Sequence, residues 1–202
     1  MLDTGLFGEP ARIRRLLTRL RLPPSAVRGI LLTHGHLDHT NNLAVLKEWT
    51  GAPVWAHPAD QIHIDGAYPY CGVARVCGWL EATGRALSHY RPVRIDEPFV
   101  EGDLVPAWGG LRVVHLPGHT EGHCGFYSEK HDLLFTGDLF ASFWFSTHLP
   151  PAIFNSRPEL IPGSLKKAVL LGARWVIPNH YHGFDGDLHR RRLETLYRRV
   201  FG

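Results

Sequence analysis

The sequence predicts an α+β domain in which two sheets pack face to face with helices outside, and three observations lead there. Stretches that read as strands fall into two blocks, residues 29–56 and residues 93–135, each followed by apolar residues at helical spacing. Strand blocks closed off by helices are the pattern of layered α+β architectures. A chain of 202 residues with 44% hydrophobic and 20% charged residues suits one domain with a sizeable core. Residues 1–202 are therefore expected to form a single domain, with 57–92 as an insertion near the active site.

The elements follow in order. Pro10 suits the first turn of a helix, Ile13, Leu16, Leu17 and Leu20 recur at helical spacing, and Pro23-Pro24 stops the run. Residues 29–33 are apolar and β-prone, and 41–49 read as a helix with Leu43, Leu46 and Trp49 on one face, so the residues between form a strand-to-helix loop. Residues 53–56 are a short strand. Between 57 and 90, helical stretches mix with Gly, Pro and aromatics; Ile62, Ile64, Tyr68, Tyr70 and Trp79 either cover the site or pack an insertion onto the core. Residues 93–95, 111–116, 123–127 and 133–135 read as strands separated by turns. Residues 158–172 are helical and 174–177 form a strand. A final helix turns Leu193, Leu196, Tyr197 and Val200 inward and its arginines, Arg190 to Arg192 with Arg198 and Arg199, outward as a solvated face.

The loop Thr33-His34-Gly35-His36-Leu37-Asp38-His39-Thr40 places three imidazoles and a carboxylate within six residues. At an extended strand end, residues two apart point the same way, so His34 and His36 can grip one ion together. Asp38 and His39 lie beyond the turn and can face a second. Imidazole with carboxylate is the ligand set of zinc, and it also suits iron or manganese.

This H-x-H-x-D-H pattern resembles that of the metallo-β-lactamase superfamily. Further segments match the same family: Asp3-Thr4-Gly5, Pro117-Gly118-His119-Thr120-Glu121-Gly122-His123, Thr136-Gly137-Asp138 and Pro178-Asn179-His180. The resemblance implies a four-layer αββα sandwich and two divalent metal ions. It places His34, His36 and His119 on the first ion, Asp38, His39 and His180 on the second, and Asp138 as the bridge. A metal-bound hydroxide would attack a carbonyl or phosphoryl centre, with Asp38 as the catalytic residue that orients it or passes a proton to the leaving group. His182 competes with His180 for the last position, and only His180 fits P-x-H. His123 is expected in an outer contact that fixes imidazole orientation. The other histidines among the 14, such as His63, His115 and His189, have no partner spacing and read as surface or locally bonded. One departure stands out, because the strands that usually precede D-T-G are absent. The N-terminal sheet is shortened, a partner covers its edge, or the start site is placed late; an unpaired edge invites association and leaves room for a homo-oligomer.

Members of this family include thioesterases of the glyoxalase II type, lactonases, β-lactamases, RNA-processing nucleases and iron-dependent oxygen-using enzymes, and the fold does not choose among them. Asp138 argues against the β-lactamase branch. The chain runs 22 residues past His180, too few for the glutathione-binding helical domain of glyoxalase II, and it shows no RNA-gripping arm. Phe140, Phe143, Trp144, Phe145, Tyr181 and Phe184 adjoin the ligands and favour an apolar or acyl substrate. The expected function is thus a dinuclear metal-dependent hydrolase of a small ester, lactone or thioester. The alternatives are a non-haem iron redox enzyme on the same ligands and a nucleic-acid phosphodiesterase. A net charge of +3 is too small to imply a nucleic-acid partner. No apolar run reaches membrane-spanning length and no signal-peptide layout opens the chain, so the cytoplasm is the default compartment. Three cysteines without a C-x-x-C pair suggest neither disulfides nor a thiolate zinc site, only buried or inert thiols.

Overall fold

Residues 1–202 are described in a computed structural model, in which the chain divides into two units, Met1–Phe99 and Val100–Gly202.

In the first unit, Pro10 opens helix α1 (Glu9–Arg19), with Glu9 in the first turn and Arg19 in the last, the charge order that the helix dipole favours. Its apolar stripe buries only Leu17; Leu16 and Leu20, expected to face inward, are exposed. Strand β1 (Ile30–Leu31) leads to a short helix α2 (Leu37–Thr40) and to α3 (Leu43–Thr50). Asp38 and His39 therefore sit on a helical turn and not on a loop. That turn forms because the His36 carbonyl accepts from the amides of His39 and Thr40 and from the Thr40 hydroxyl. Strand β2 (Val54–Ala56) precedes α4 (Gln61–Ile64), α5 (Arg75–Leu87) and β3 (Glu97–Pro98). The sheet runs β1-β2-β3, all parallel, and Met1 to Asp3 lie along Leu31. Its core is Ile30, Leu32, Leu43, Leu46, Val54 and Ile64. The strand expected at 93–95 falls at β3 instead. Asp96 accepts from the Val54 amide at 2.8 Å, and Val93 and Ile95 pack half-buried against the core.

The second unit holds a five-stranded sheet in the order β10-β7-β6-β5-β4. Its strands are β4 (Leu104–Val105), β5 (Leu111–His115), β6 (Cys124–Ser128), β7 (Leu133–Gly137) and, after the hairpin β8 (Ala141–Ser142) and β9 (Thr147–His148), β10 (Trp175–Pro178). Only β10 and β7 pair in parallel within that sheet. Helix α6 (Ile161–Leu170) and helix α7 (Gly186–Phe201) complete the unit, the latter capped by the Asp185 carboxylate accepting from the Leu188 amide at 2.9 Å. Val114, Leu134, Phe140, Leu165, Val176 and Leu193 form the core. Truncating a side chain as completely buried as Leu165 would cost about 2–5 kcal/mol. Arg190 and Arg191 pair with Asp187, and Arg190 also with Glu194, as a solvated helix face does.

Cys77 and Cys124 are buried, and burial pushes the Cys77 thiol up to about 12. Cys71, also expected to be buried or inert, is exposed. No helix is long and apolar enough to cross a membrane.

Candidate metal centre

In the first unit, His34, His36 and His39 are all buried just past the end of β1. Thr33 donates its hydroxyl to Asp3 Oδ2 at 2.8 Å, so its lone pairs face His34 Nδ1 at 3.0 Å. That contact puts the ring proton on Nδ1 and the lone pair on Nε2. His39 Nδ1 lies 3.0 Å from Asp3 Oδ2, and a carboxylate can only accept, so Nδ1 carries a proton there too. Both rings thus present Nε2, and outer partners of this kind are what orient metal-binding histidines. The rings of His34 and His36 stand 4.8 Å apart, those of His34 and His39 4.0 Å. Asp38 Oδ2 is 3.3 Å from His39 Nε2, with the Asp38 side chain 35% exposed.

The second unit builds its part on glycine turns. Gly118 has φ +138°, and a Cβ there would stand 2.9 Å from the Ile161 backbone nitrogen, so the P-G-H segment needs glycine. His119 Nδ1 donates to Asn155 Oδ1 at 3.0 Å. The Asn155 amide is itself oriented by donating to the Pro150 carbonyl at 3.0 Å. His119 therefore also carries its lone pair on Nε2. Asp138 follows β7, and its backbone N–H donates to His123 Nε2 at 2.9 Å while His123 Nδ1 donates to the Leu116 carbonyl at 2.8 Å. His123 spends both nitrogens on backbone and acts as the outer contact expected of it.

Asp138 Oδ2 lies 3.6 Å from His119 Nε2 and 3.0 Å from His180 Nε2. Both imidazoles are thus within ion-pair distance of the Asp138 carboxylate, close enough to share a cation with it. Both histidines meet the same carboxylate oxygen, not one on each. The hairpin sets the His180 backbone, since the Ser142 amide donates to the His180 carbonyl at 2.9 Å and the His182 amide donates to the Ser142 carbonyl at 2.9 Å. The His182 ring instead packs on Phe143 and Trp144, at 5.0 and 4.8 Å. Behind the hairpin, Ser142 Oγ bonds the buried His189 Nδ1 at 2.7 Å, and Arg192 donates to the same oxygen at 2.9 Å. Burial holds the His189 imidazole below its usual range, so it stays neutral and its Nε2 donates to the Gly183 carbonyl at 3.0 Å.

The aromatics expected around the ligands divide. Phe140 belongs to the core, while Trp144, Phe145 and Phe184 are exposed. Trp144 and Phe145 line a cavity of about 450 Å³ whose opposite wall on α7 includes Arg192, Leu196 and Arg199. Arg192 therefore does not join the solvated outer face; Ser142 and the Trp144 carbonyl draw it to the hairpin. Asn155, Asp60 and Glu81, which bond site residues or their backbone, lie outside every motif and carried no sequence signal.

Imidazole nitrogens together with carboxylate oxygens form a donor set that suits a divalent cation, zinc and iron alike. The metallo-β-lactamase superfamily model matches residues 1–180, running through both units. The metallo-β-lactamase family protein TTHA1429 from Thermus thermophilus superposes with a TM-score of 0.75 at 25% identity, over 99% of this chain and 70% of that one. TTHA1623 in a di-iron-bound form gives 0.69 at 29% identity, over 95% of this chain and 86% of that one. Hydroxyacylglutathione hydrolase GloC of Haemophilus influenzae is 30% identical over 139 residues, 68% of this chain and 61% of that protein. The chain spans about three fifths of the length of the curated relatives it matches. The motifs, the α+β architecture and these likenesses agree: the chain belongs to the metallo-β-lactamase superfamily and has its fold.

Proposed function

We propose that the protein is a dinuclear metal-dependent hydrolase of a small acyl substrate. In this reading His34, His36 and His119 would hold one divalent cation, Asp38, His39 and His180 would hold the other, and Asp138 would serve both. The observation that carries it is ring orientation: His34, His39 and His119 each give Nδ1–H to an acceptor of the protein, and His39 and His119 turn Nε2 toward Asp38 and Asp138. Such a cation pair supplies an acidified water and a positive field for negative charge developing on a carbonyl oxygen. Asp38 is the most exposed acid of the set in its unit and the one able to orient water or carry a proton to the leaving group. His123 holds the Asp138 backbone, and the Ser142 hairpin holds that of His180.

GloC, by name a hydroxyacylglutathione hydrolase, supports a thioester among the acyl substrates. Esters and lactones remain within the reading. The pairing of Arg190 and Arg191 with Asp187 and Glu194 favours the acyl reading over a nucleic-acid one.

The di-iron form of TTHA1623 favours one second reading, a redox enzyme using iron on the same ligands. Metal-analysed protein should be assayed on thioesters, lactones, esters and phosphodiesters, with oxygen uptake followed in parallel. The hydrolase reading expects acyl turnover with zinc and no oxygen uptake. Turnover confined to single-stranded RNA, or oxygen consumption with iron and no hydrolysis, would replace it.

A further inference from the structure

Beyond Leu32 the sheet no longer supplies partners for the ligand loop. Ile30 and Leu32 give their amides to the carbonyls of Pro53 and Trp55, and Leu31 gives its amide to that of Met1. Past that point, alternate amides go to carboxylates. Thr33 donates to Asp3 Oδ1, Gly35 to Asp60 Oδ2 and Leu37 to Glu81 Oε1, each at 2.7 Å. The residues between and after them, His34, His36 and Asp38, are the ones read as ligands. Asp60 precedes α4 and Glu81 lies on α5, in the stretch that matches no motif, and both are buried.

Buried carboxylates are costly unless hydrogen bonds compensate them, so plain packing would place an apolar side chain at either position. Here hydrogen bonds offset part of that cost, although burial still holds the Glu81 carboxyl above its usual range. Glu81 Oε2 also receives the Tyr70 hydroxyl at 3.0 Å and the Arg85 guanidinium at 3.3 Å. Arg85 in turn donates to the His63 carbonyl at 2.8 Å, which ties α5 to α4. The loop is pressed against this support, for a Cβ on Gly35 would stand 2.9 Å from the Asp60 carbonyl and 2.6 Å from His63 Cβ.

We propose that Asp60 and Glu81 are positioning residues: they take over the backbone amides where the sheet ends and hold His34, His36 and Asp38 in ligand geometry before a cation arrives. The proposal rests on the metal reading of this loop. Removing an outer partner of a metal ligand typically lowers affinity about 10- to 100-fold, and the same loss is expected here although the partner acts through the backbone. A residue needed only for folding would lower the melting temperature without changing the affinity of the folded protein.

The test is competition between the full-length protein and a chromophoric chelator for zinc, combined with amide hydrogen exchange at Gly35 and Leu37 in the metal-free protein. Asp60→Ala and Glu81→Ala should each weaken zinc binding by about 10- to 100-fold, and each should speed exchange at its own amide. Asp60→Asn and Glu81→Gln keep an acceptor oxygen and should recover most of both. Should Glu81→Ala fail to fold, Glu81→Met keeps the volume, removes the acceptor and carries the same expectation. Unchanged zinc competition in the folded variants overturns the proposal alone, as does a Gln or Asn variant as weak as its Ala counterpart. A wild-type protein that holds no cation overturns the metal reading and this proposal together.

Discussion

The two units hold their histidines by different chemistry. In the first, the outer partners are anionic: Asp3 serves His39 directly and His34 through Thr33, while Asp60 and Glu81 take the loop amides. In the second they are neutral: an asparagine amide for His119, a carbonyl for His123, and a hairpin backbone for His180. Hydrogen bonds to a charged acceptor are roughly twice as strong as neutral ones and make an imidazole a better donor to a cation. Exposure runs the same way, since His39 is 6% exposed and His180 47%. The first unit thus holds its histidines by charged partners and out of solvent, while the second leaves His180 half exposed.

Asp138→Ala gives the largest expected effect. Two histidines of the second unit converge on that one oxygen, so its loss should leave less than one ion per chain by elemental analysis and no measurable turnover. Retention of both ions would break the comparison outright. Asp3→Asn should follow, because it keeps size but removes the charge behind His39 and Thr33. Zinc affinity should drop by about 10- to 100-fold, and more than in Asn155→Ala, where only a neutral acceptor is lost. Chelator competition on the two variants sharpens the contrast, and equal losses would show that charge in the outer contacts does not matter.

Smaller still is a pH effect confined to the second unit. Burial lowers the His189 pKa in the folded protein, so the unfolded chain takes up a proton at higher pH than the folded one. Protonation then favours unfolding, and stability should fall as pH drops below about 6.5, until the lower folded value is passed. Melting curves of metal-free protein should show a shallower decline for His189→Gln than for wild type; parallel curves would mean that His189 is not held neutral. His182→Ala should be mildest, leaving metal content unchanged because its ring rests on Phe143 and Trp144.

Much of this was legible in the sequence because each motif residue has a local physical reason. Gly118 stands where no Cβ fits, the strands of the second unit alternate with clear turns, and the ligand types cluster in sequence. Other features depend on distant chain segments and left no local trace. Asp60 and Glu81 lie among mixed Gly, Pro and aromatic residues, and their partners are backbone amides 25 and 44 residues away. The arginine run on α7 read as uniformly solvated. Helical spacing could not show that Arg192 alone meets a hairpin 50 residues earlier in the chain. The stripe of α1 erred the other way, since periodicity marks an apolar face without saying whether anything covers it.

If the histidines and carboxylates of both units serve a pair of cations, as proposed, the metal stoichiometry is fixed by it. Purified protein reconstituted with zinc and freed of loosely held metal should plateau at two ions per chain by elemental analysis. His39→Ala and His180→Ala should each lower that plateau toward one. A firm plateau at one ion in the wild type, unmoved by either substitution, would contradict the account.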